Sequence, residues 1–294
     1  MSGGKPEAEL TLSAELITQL LQTQHPDLAD LPLREFASGW DNQLFTLGEM
    51  MIVRLPRREL AATLVRNEQT WLPELAPLLP LPVPAPLRIG EPTADYPWHW
   101  SIVPAFVGEA ADLTPPKAAE APVWAEFLKA LHQPAPDSAP ANDFRGVPLS
   151  DRHSALQVRI DRLRGASDAY TSSIEQIWET GLAAPKSTQN CWLHGDLHAQ
   201  NVLTHNKAFA AVIDWGDITS GDSATDLASI WALFPDQTAR QRVLEVYQPD
   251  QPTLDRARGW AIMFGVILLD SGLINSPRHA AMGRDMLQRV SADT

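Results

Sequence analysis

A chain of 294 residues is long enough for one large domain or two lobes with a substantial core. Its net charge of −13, from 23 basic against 36 acidic residues, argues against nucleic acid and anionic membranes as partners. A single cysteine, Cys191, excludes an intramolecular disulfide, and its neighbours predict a buried strand thiol. The N-terminal "MSGGKPEAEL" lacks an apolar signal core. The apolar run Ala261–Leu269 is shorter than the about 20 residues a membrane span needs. The expectation is a soluble, cytoplasmic protein with no membrane partner.

Leu16, Ile17, Leu20 and Leu21 recur at helical spacing and predict a first helix. "LREFAS", "NQLFTLG" and "MMIVRLP" have strand character, and "GWDN" and "LGEM" separate them as turns, which predicts a small antiparallel sheet. A helix follows from about Leu60, with Ala61, Leu64, Val65, Glu68 and Leu72 on one face, and Pro73 interrupts it. The proline-dense "PLLPLPVPAPLRIGEP" alternates apolar residues and predicts an ordered extended edge segment. "YPWHWSIVPAFVGE" adds one more buried strand leading out of the sheet.

From about Val107 the pattern becomes helical. "PVWAEFLKALH" opens with Pro122, "DRHSALQVRIDRLRG" closes on Gly165, and "SSIEQIWETGL" is a third helix. Then come strand "CWL", loop "HGDLHAQ", strand "NVLT", turn "HNKA" and strand "FAAVID". Three or four helical segments run from Thr225 to Val290. A sheet-rich first lobe thus precedes a helix-rich second lobe carrying one small hairpin.

Two polar constellations stand out. Asp196 and Asn201 share one loop, and Asp214 ends the following hairpin strand. A hairpin brings its outer ends together, so three oxygen donors converge on one point. Oxygen-only donors suit magnesium, which keeps some of its waters and takes further ligands from substrate phosphates. The rival is a zinc or two-metal hydrolase using His194, Asp196, His198 and Asp214, although no H-x-H or H-E-x-x-H pattern is present. The preferred reading of His194 is a packed histidine bonded to backbone. His198 is a loop or ligand-contacting residue, and His205 a turn residue. In the first lobe, Arg54 interrupts an apolar strand and Glu68 falls on an apolar helix face. Buried charges need partners, so the two are expected to pair, either as a structural ion pair or as a device for holding nucleotide phosphates.

Together these features resemble the aminoglycoside phosphotransferase family, which is similar in fold to the protein kinases. The resemblance runs from "SGWDNQLFTLG" through "IVRLP", "NEQTWLP" and "WLHGDLHAQNVL" to "VIDWGD" and "GDSATDLA", and H-G-D-x-x-x-x-N followed by I-D-W carries most of it. It implies an α+β, bilobal protein-kinase-like fold. Residues 1–104 would form an antiparallel-sheet lobe that binds nucleotide. Residues 105–294 would form a larger helical lobe with a small β-hairpin, holding the catalytic loop and the acceptor. It implies transfer of the γ-phosphoryl group of ATP or GTP to a hydroxyl of a small molecule, foremost an aminoglycoside-like antibiotic, with a macrolide or metabolite as alternatives. A non-catalytic nucleotide-binding module is the alternative from another class.

By the same resemblance, Asp196 is the catalytic aspartate and Asn201 and Asp214 bind Mg2+. Arg54 contacts the nucleotide phosphates and Glu68 holds it. Ser38 and Gly39 lie in the loop over the phosphates. Val103, Ala105 and Phe106 belong to the hinge beside the adenine. Asp226 braces the "HGD" loop, with a helix N-cap as its simpler role. The sequence departs from the family at Arg54, where a lysine is usual, and its phosphate loop has one glycine. No D-F-G to A-P-E segment is present, so a peptide acceptor is not expected. A cationic acceptor would draw on Asp217, Asp222, Asp236 and Asp270. A macrolide would need Trp231, Phe234, Trp260, Met263 and Phe264, for which helix–helix core is the preferred reading. The sequence leaves oligomeric state open.

Overall fold

The computed structural model describes residues 7–164 and 166–293; Gly165, the expected helix stop, and the first six residues lie outside them. The first helix, α1 (Ala14–Gln24), starts at Ser13, whose hydroxyl accepts the Leu16 N–H at 3.2 Å. It buries Ile17, Leu20 and Leu21. Three strands follow as a meander: β1 (Leu33–Ser38), β2 (Asn42–Leu47) and β3 (Met51–Pro56). Their register pairs Asn42 with Pro56 and Leu47 with Met51. Phe45, Leu47, Val53 and Leu55 point to one face and pack with α1.

Next comes α2 (Glu59–Leu75), which buries Ala61, Val65, Glu68, Leu72 and Leu75. Contrary to expectation, the helix continues past Pro73. So close to the C-terminus, the missing proline N–H removes one late bond, and the Ala76 N–H still closes on Leu72. The proline-dense segment begins with a 3-10 turn, Ala76–Leu78. Its alternate residues Leu79, Leu81 and Val83 are then buried against the helical part. Only β4 (Arg88–Gly90) joins the sheet, as its edge strand beside β5 (Trp100–Pro104). The completed five-stranded antiparallel sheet has the order β1-β2-β3-β5-β4.

The helical part contains β6 (Glu109–Ala110), α3 (Ala121–Leu131), α4 (Leu149–Leu163), α5 (Ser172–Ala183) and β7 (Cys191–Leu193). It continues with β8 (Val202–His205), β9 (Ala208–Val212) and β10 (Thr219–Gly221). It ends with α6 (Ala224–Leu227), α7 (Ser229–Leu233), α8 (Gln237–Tyr247), α9 (Gln251–Asn275) and α10 (Pro277–Ala292). The tail therefore carries five helices among the described residues, not three or four. Two of them are only about one turn long, too short to show a period. The β-structure also extends beyond the expected hairpin: β6 pairs with β8, and β7 with β10.

α9 is long and apolar enough to cross a bilayer by composition, yet Trp260, Ala261, Ile262 and Met263 are consecutive and all buried. A helix apolar all round is a core helix when other elements surround it, and α4, α5, α6 and α10 pack against this one. Trp231, Phe234, Trp260 and Met263 belong to this core, and Trp260 packs on Phe264 with ring centroids 5.5 Å apart. Phe264 is buried in the same cluster, so the core reading holds for all five residues. Cys191 is buried in β7 as expected, and burial pushes its thiol pKa up.

Candidate active site

The loop that carries Asp196 leaves β7 through a turn that only glycine fits easily. Gly195 has φ +86°, and a Cβ there would stand 2.6 Å from the Asp217 carbonyl oxygen. Asp226, fully buried in α6, accepts two main-chain bonds from this turn: His194 N–H at 2.6 Å and Gly195 N–H at 2.9 Å. It braces the loop and does not act as a helix N-cap. His194 is also wholly buried. Its Nε2 bonds the Ile213 carbonyl at 3.0 Å, and its Nδ1 accepts the Asp196 N–H at 3.2 Å. Both ring nitrogens are thus engaged by backbone, as the packed-histidine reading expected, and neither is free to bind zinc.

Asp196 follows with its carboxylate between two cationic groups. Arg145 Nη2 donates to Oδ1 at 3.0 Å, and His198 Nε2 lies 3.4 Å from Oδ2. Burial pushes the Asp196 carboxyl up, but Arg145 and then His198 outweigh it and hold it well below the usual carboxylate range. Burial in turn opposes a charge on His198, and Asp196 overcomes it and raises the imidazole.

Asn201 is buried at the start of the hairpin. Its Nδ2 donates to the Asp196 carbonyl at 3.0 Å, which orients the amide and leaves Oδ1 without a protein partner among the described residues. The β8–β9 turn places Asn206 and Lys207 at φ 53° and 59°, the left-handed pair of a tight hairpin. Val202 pairs with Val212, and the Ile213 N–H donates to the Asn201 carbonyl at 2.8 Å. The hairpin thus brings Asp214 next to Asn201, as the sequence expected. Asp214 is itself left-handed, φ 60°, and its carboxylate is 60% exposed. One free amide oxygen and one exposed carboxylate form a hard donor set of the kind that fits magnesium, and the nearby His198 ring nitrogen is turned to the Asp196 carboxylate and the Asn201 amide nitrogen.

The sheet meets this loop through Arg54, 7% exposed on β3. Nη1 donates to Glu68 at 2.6 Å and Nη2 to Asp214 at 3.0 Å. With its amide oxygen turned inward, Asn42 also accepts from Nε (3.1 Å) and Nη2 (3.0 Å). Burial opposes the Arg54 charge, but Glu68 and Asp214 outweigh it and raise the guanidinium pKa. For Glu68 burial dominates and pushes the carboxyl up to about 7, with Arg54 pulling it partly back.

A carboxyl raised on folding stabilises the native state fully below its unfolded value near 4.5, and that contribution is lost as pH rises through about 7. In urea titrations, Glu68→Gln is expected to flatten this fall in stability. Parallel stability–pH curves for the two proteins would mean that Glu68 ionises in the fold as it does in water.

The remaining expected site residues flank this centre. Ser38 ends β1 and Gly39 opens the β1–β2 turn, where Gly39 N–H donates to the Asn42 carbonyl (2.8 Å) and Arg57 holds the Gly39 carbonyl (3.0 Å). Val103 is buried at the end of β5, and Ala105 and Phe106 are half-buried just beyond. The Ala105 N–H donates to the Met50 carbonyl at 2.8 Å, so this amide is not available to a base.

Arg145 and Asn142, neither anticipated, complete the centre. Asn142 Oδ1 accepts the N–H groups of Phe144 (2.8 Å) and Arg145 (3.2 Å), and its Nδ2 donates to Asp217 (2.8 Å). The only hint in the sequence was "NDFRG", a turn pattern in a stretch that otherwise reads as a proline-rich spacer. Each of the four carboxylates expected to greet a cationic acceptor has a protein partner, but only Asp222 and Asp270 are ion-paired among the described residues. Asp217 accepts from Asn142, Asp222 holds Arg256 in two bonds (2.6 and 3.1 Å), and Asp236 caps α8 through the Ala239 N–H (2.8 Å). Asp270 holds both Arg159 (2.6 Å) and Arg162 (2.9 and 2.5 Å).

An antiparallel sheet whose buried cation reaches across to a loop aspartate and a hairpin is the plan of the protein-kinase-like phosphotransferases. The chain belongs to the phosphotransferase enzyme family, matching it over residues 32–260. It is similar in structure to wild-type aminoglycoside 2'-phosphotransferase-IIIa in its GDP complex, at 16% identity and TM-score 0.63, over 96% of this chain and 99% of that one. It is also similar to the streptomycin–ATP ternary complex of APH(2")-IIa (22% identity, TM-score 0.60, 88% of this chain and 90% of that one). Macrolide 2'-phosphotransferase MphH from Brachybacterium faecium, solved as the apoenzyme, is similar too (20% identity, TM-score 0.61, 92% and 98%). At these identities the likenesses show the fold. No curated protein matches the chain significantly in sequence.

Proposed function

We propose that this protein is a cytoplasmic, magnesium-dependent O-phosphotransferase that moves the γ-phosphoryl group of ATP or GTP to a hydroxyl of a small molecule. The observation that carries this reading is the Arg54–Asp214 ion pair at 3.0 Å. It joins the sheet to the hairpin at the point where Asn201 offers its free oxygen and Asp196 its carboxylate. Residues 1–104 serve as the nucleotide lobe, and residues 105–294 hold the catalytic loop and the acceptor.

Asp196 orients the acceptor hydroxyl and takes its proton as the oxygen bonds to the γ-phosphorus and the bond to the β-phosphate oxygen breaks. A carboxylate held well below the usual range is a weak base, which suits a loose transition state that depends on positioning and charge. Asn201 and Asp214 hold the metal, which neutralises phosphate charge when bound. Arg54 faces the phosphates and Glu68 fixes its direction. Ser38 and Gly39 cover the phosphates, and Val103 and Phe106 flank the base, whose hydrogen bonds go to main-chain groups other than the Ala105 amide.

The relatives whose structures carry streptomycin, gentamicin and kanamycin support a small-molecule acceptor. An aminoglycoside-like acceptor for this chain rests on that likeness of fold, since two of the four carboxylates expected to bind it, Asp222 and Asp270, are neutralised by arginines.

The test is magnesium-dependent nucleotide consumption against a panel of hydroxyl compounds, with mass spectrometry of the products. A product heavier by one phosphoryl group is expected with at least one acceptor. Nucleotide binding without transfer or Asp196-dependent hydrolysis would favour the non-catalytic module. Glu68→Ala is expected to weaken nucleotide binding by about tenfold, the worth of one charge-assisted bond that orients Arg54. An unchanged dissociation constant would make the pair structural.

A further inference from the structure

The protein carries net charge −13, yet Arg145, which bonds Asp196, belongs to a cluster of arginines that continues onto α4. Arg145 lies over the Phe264 ring, 5.1 Å from its centroid. Its neighbour Phe144 is exposed, and Arg152 from α4 lies over that ring at 4.9 Å. Two turns along the same face of α4, Arg159 bonds Asp270 at 2.6 Å, and Arg162 shares that carboxylate. Four arginines therefore face two carboxylates, and both carboxylates are taken. Arg152 makes no ion pair or hydrogen bond among the described residues, and its Nε is buried without a partner. The charges that act on it are Arg145 and Arg159, which with burial lower its pKa. Asp143 and Asp151, the other carboxylates of this stretch, are exposed and enter no ion pair among the described residues.

We propose that the acceptor is a hydroxyl compound bearing an acid group, a carboxylate or a phosphate, which Arg152 binds at the mouth of the Asp196 site. This rests on the phosphotransferase reading and names its substrate class. A guanidinium fork left unpaired among other cations is built for a bidentate oxyanion. The same group disfavours a polycationic aminosugar at this point of the site, because the carboxylates nearest in sequence, Asp143 and Asp151, are exposed and screened by solvent. The exposed Phe144 ring beneath the guanidinium supplies an apolar edge for the carbon frame of the acceptor.

A matched series tests the charge alone: glucuronate, glucose 6-phosphate, glucose and glucosamine. Each is titrated calorimetrically into the full-length protein with magnesium and a non-hydrolysable nucleotide. The expected order places one of the acids at least about tenfold tighter than glucose, with glucosamine weakest. The preferred acid tells carboxylate from phosphate. Arg152→Ala is expected to erase the preference, Arg152→Lys to keep part of it, and Arg152→Glu to reverse it towards glucosamine. Failure of both acids to bind, equal binding of glucose or glucosamine, or a preference that survives in Arg152→Ala would each overturn the proposal. The phosphotransferase reading is read separately, from Asp196-dependent transfer in the acceptor panel. Transfer to aminosugars without acid preference would remove the anionic acceptor and keep the enzyme.

Discussion

Asp196→Asn is expected to lower the rate of phosphoryl transfer by about 10²- to 10⁴-fold while nucleotide binding persists. The reasoning is geometric. The loop that carries Asp196 is held by main-chain bonds from His194 and Gly195 to Asp226, none of which involves the Asp196 side chain. Asparagine can therefore occupy the same place. It cannot take a proton, and it leaves Arg145 without the carboxylate it now bonds at 3.0 Å. The residues proposed to hold the nucleotide and its metal, Arg54, Glu68 and Asp214, do not contact this side chain among the described residues, so the dissociation constant for nucleotide should stay in place. Single-turnover rates and equilibrium binding measured on one preparation separate the two. Turnover near wild type would remove Asp196 from the reaction.

The second large effect is expected at Asp226, which touches no reacting group. Its carboxylate is fully buried and accepts two main-chain N–H groups at 2.6 and 2.9 Å. Asp226→Ala strands both donors where no water replaces the carboxylate. Each orphaned donor costs about 1–3 kcal/mol, a large share of the roughly 5–15 kcal/mol that holds a domain together. The melting temperature should fall by roughly 5 °C or more. The rate should fall with it in the fraction that remains folded, because the turn at Gly195 positions Asp196. Asp226→Asn keeps one acceptor oxygen but turns an amide N–H towards a donor, so it should lie between the two. An Asp226→Ala protein with wild-type melting and wild-type rate would reduce Asp226 to a passive core residue.

Much of this was legible in the chain itself. Leu16, Ile17, Leu20 and Leu21 repeat at helical spacing and do form the buried edge of a helix. The tight turn before Ala208 sets the hairpin, and the hairpin sets Asp214 beside Asn201. His194 could be read as a packed residue because its glycine neighbour and short flanking strands leave no helix on which it could present a metal ligand. Arg54 and Glu68 could be matched because each broke an apolar pattern, and two such breaks need each other.

What the sequence determined by itself was therefore whatever depends on near neighbours: period, turn chemistry, the spacing of Asp196, Asn201 and Asp214, and the need of a buried charge for a partner. What only the tertiary structure decided was which partner each polar group took. Asp217, Asp222, Asp236 and Asp270 read alike as free carboxylates, yet Asp222 and Asp270 are neutralised by Arg256 and two α4 arginines, while Asp217 and Asp236 accept only neutral N–H groups among the described residues, from Asn142 and Ala239. Arg145 came from a stretch that resembled a spacer and now holds Asp196. Apart from the Asp236 cap, which lies three residues from its amide, such pairings join residues tens of positions apart, and their strength depends on burial and distance, which exist only once the chain has packed.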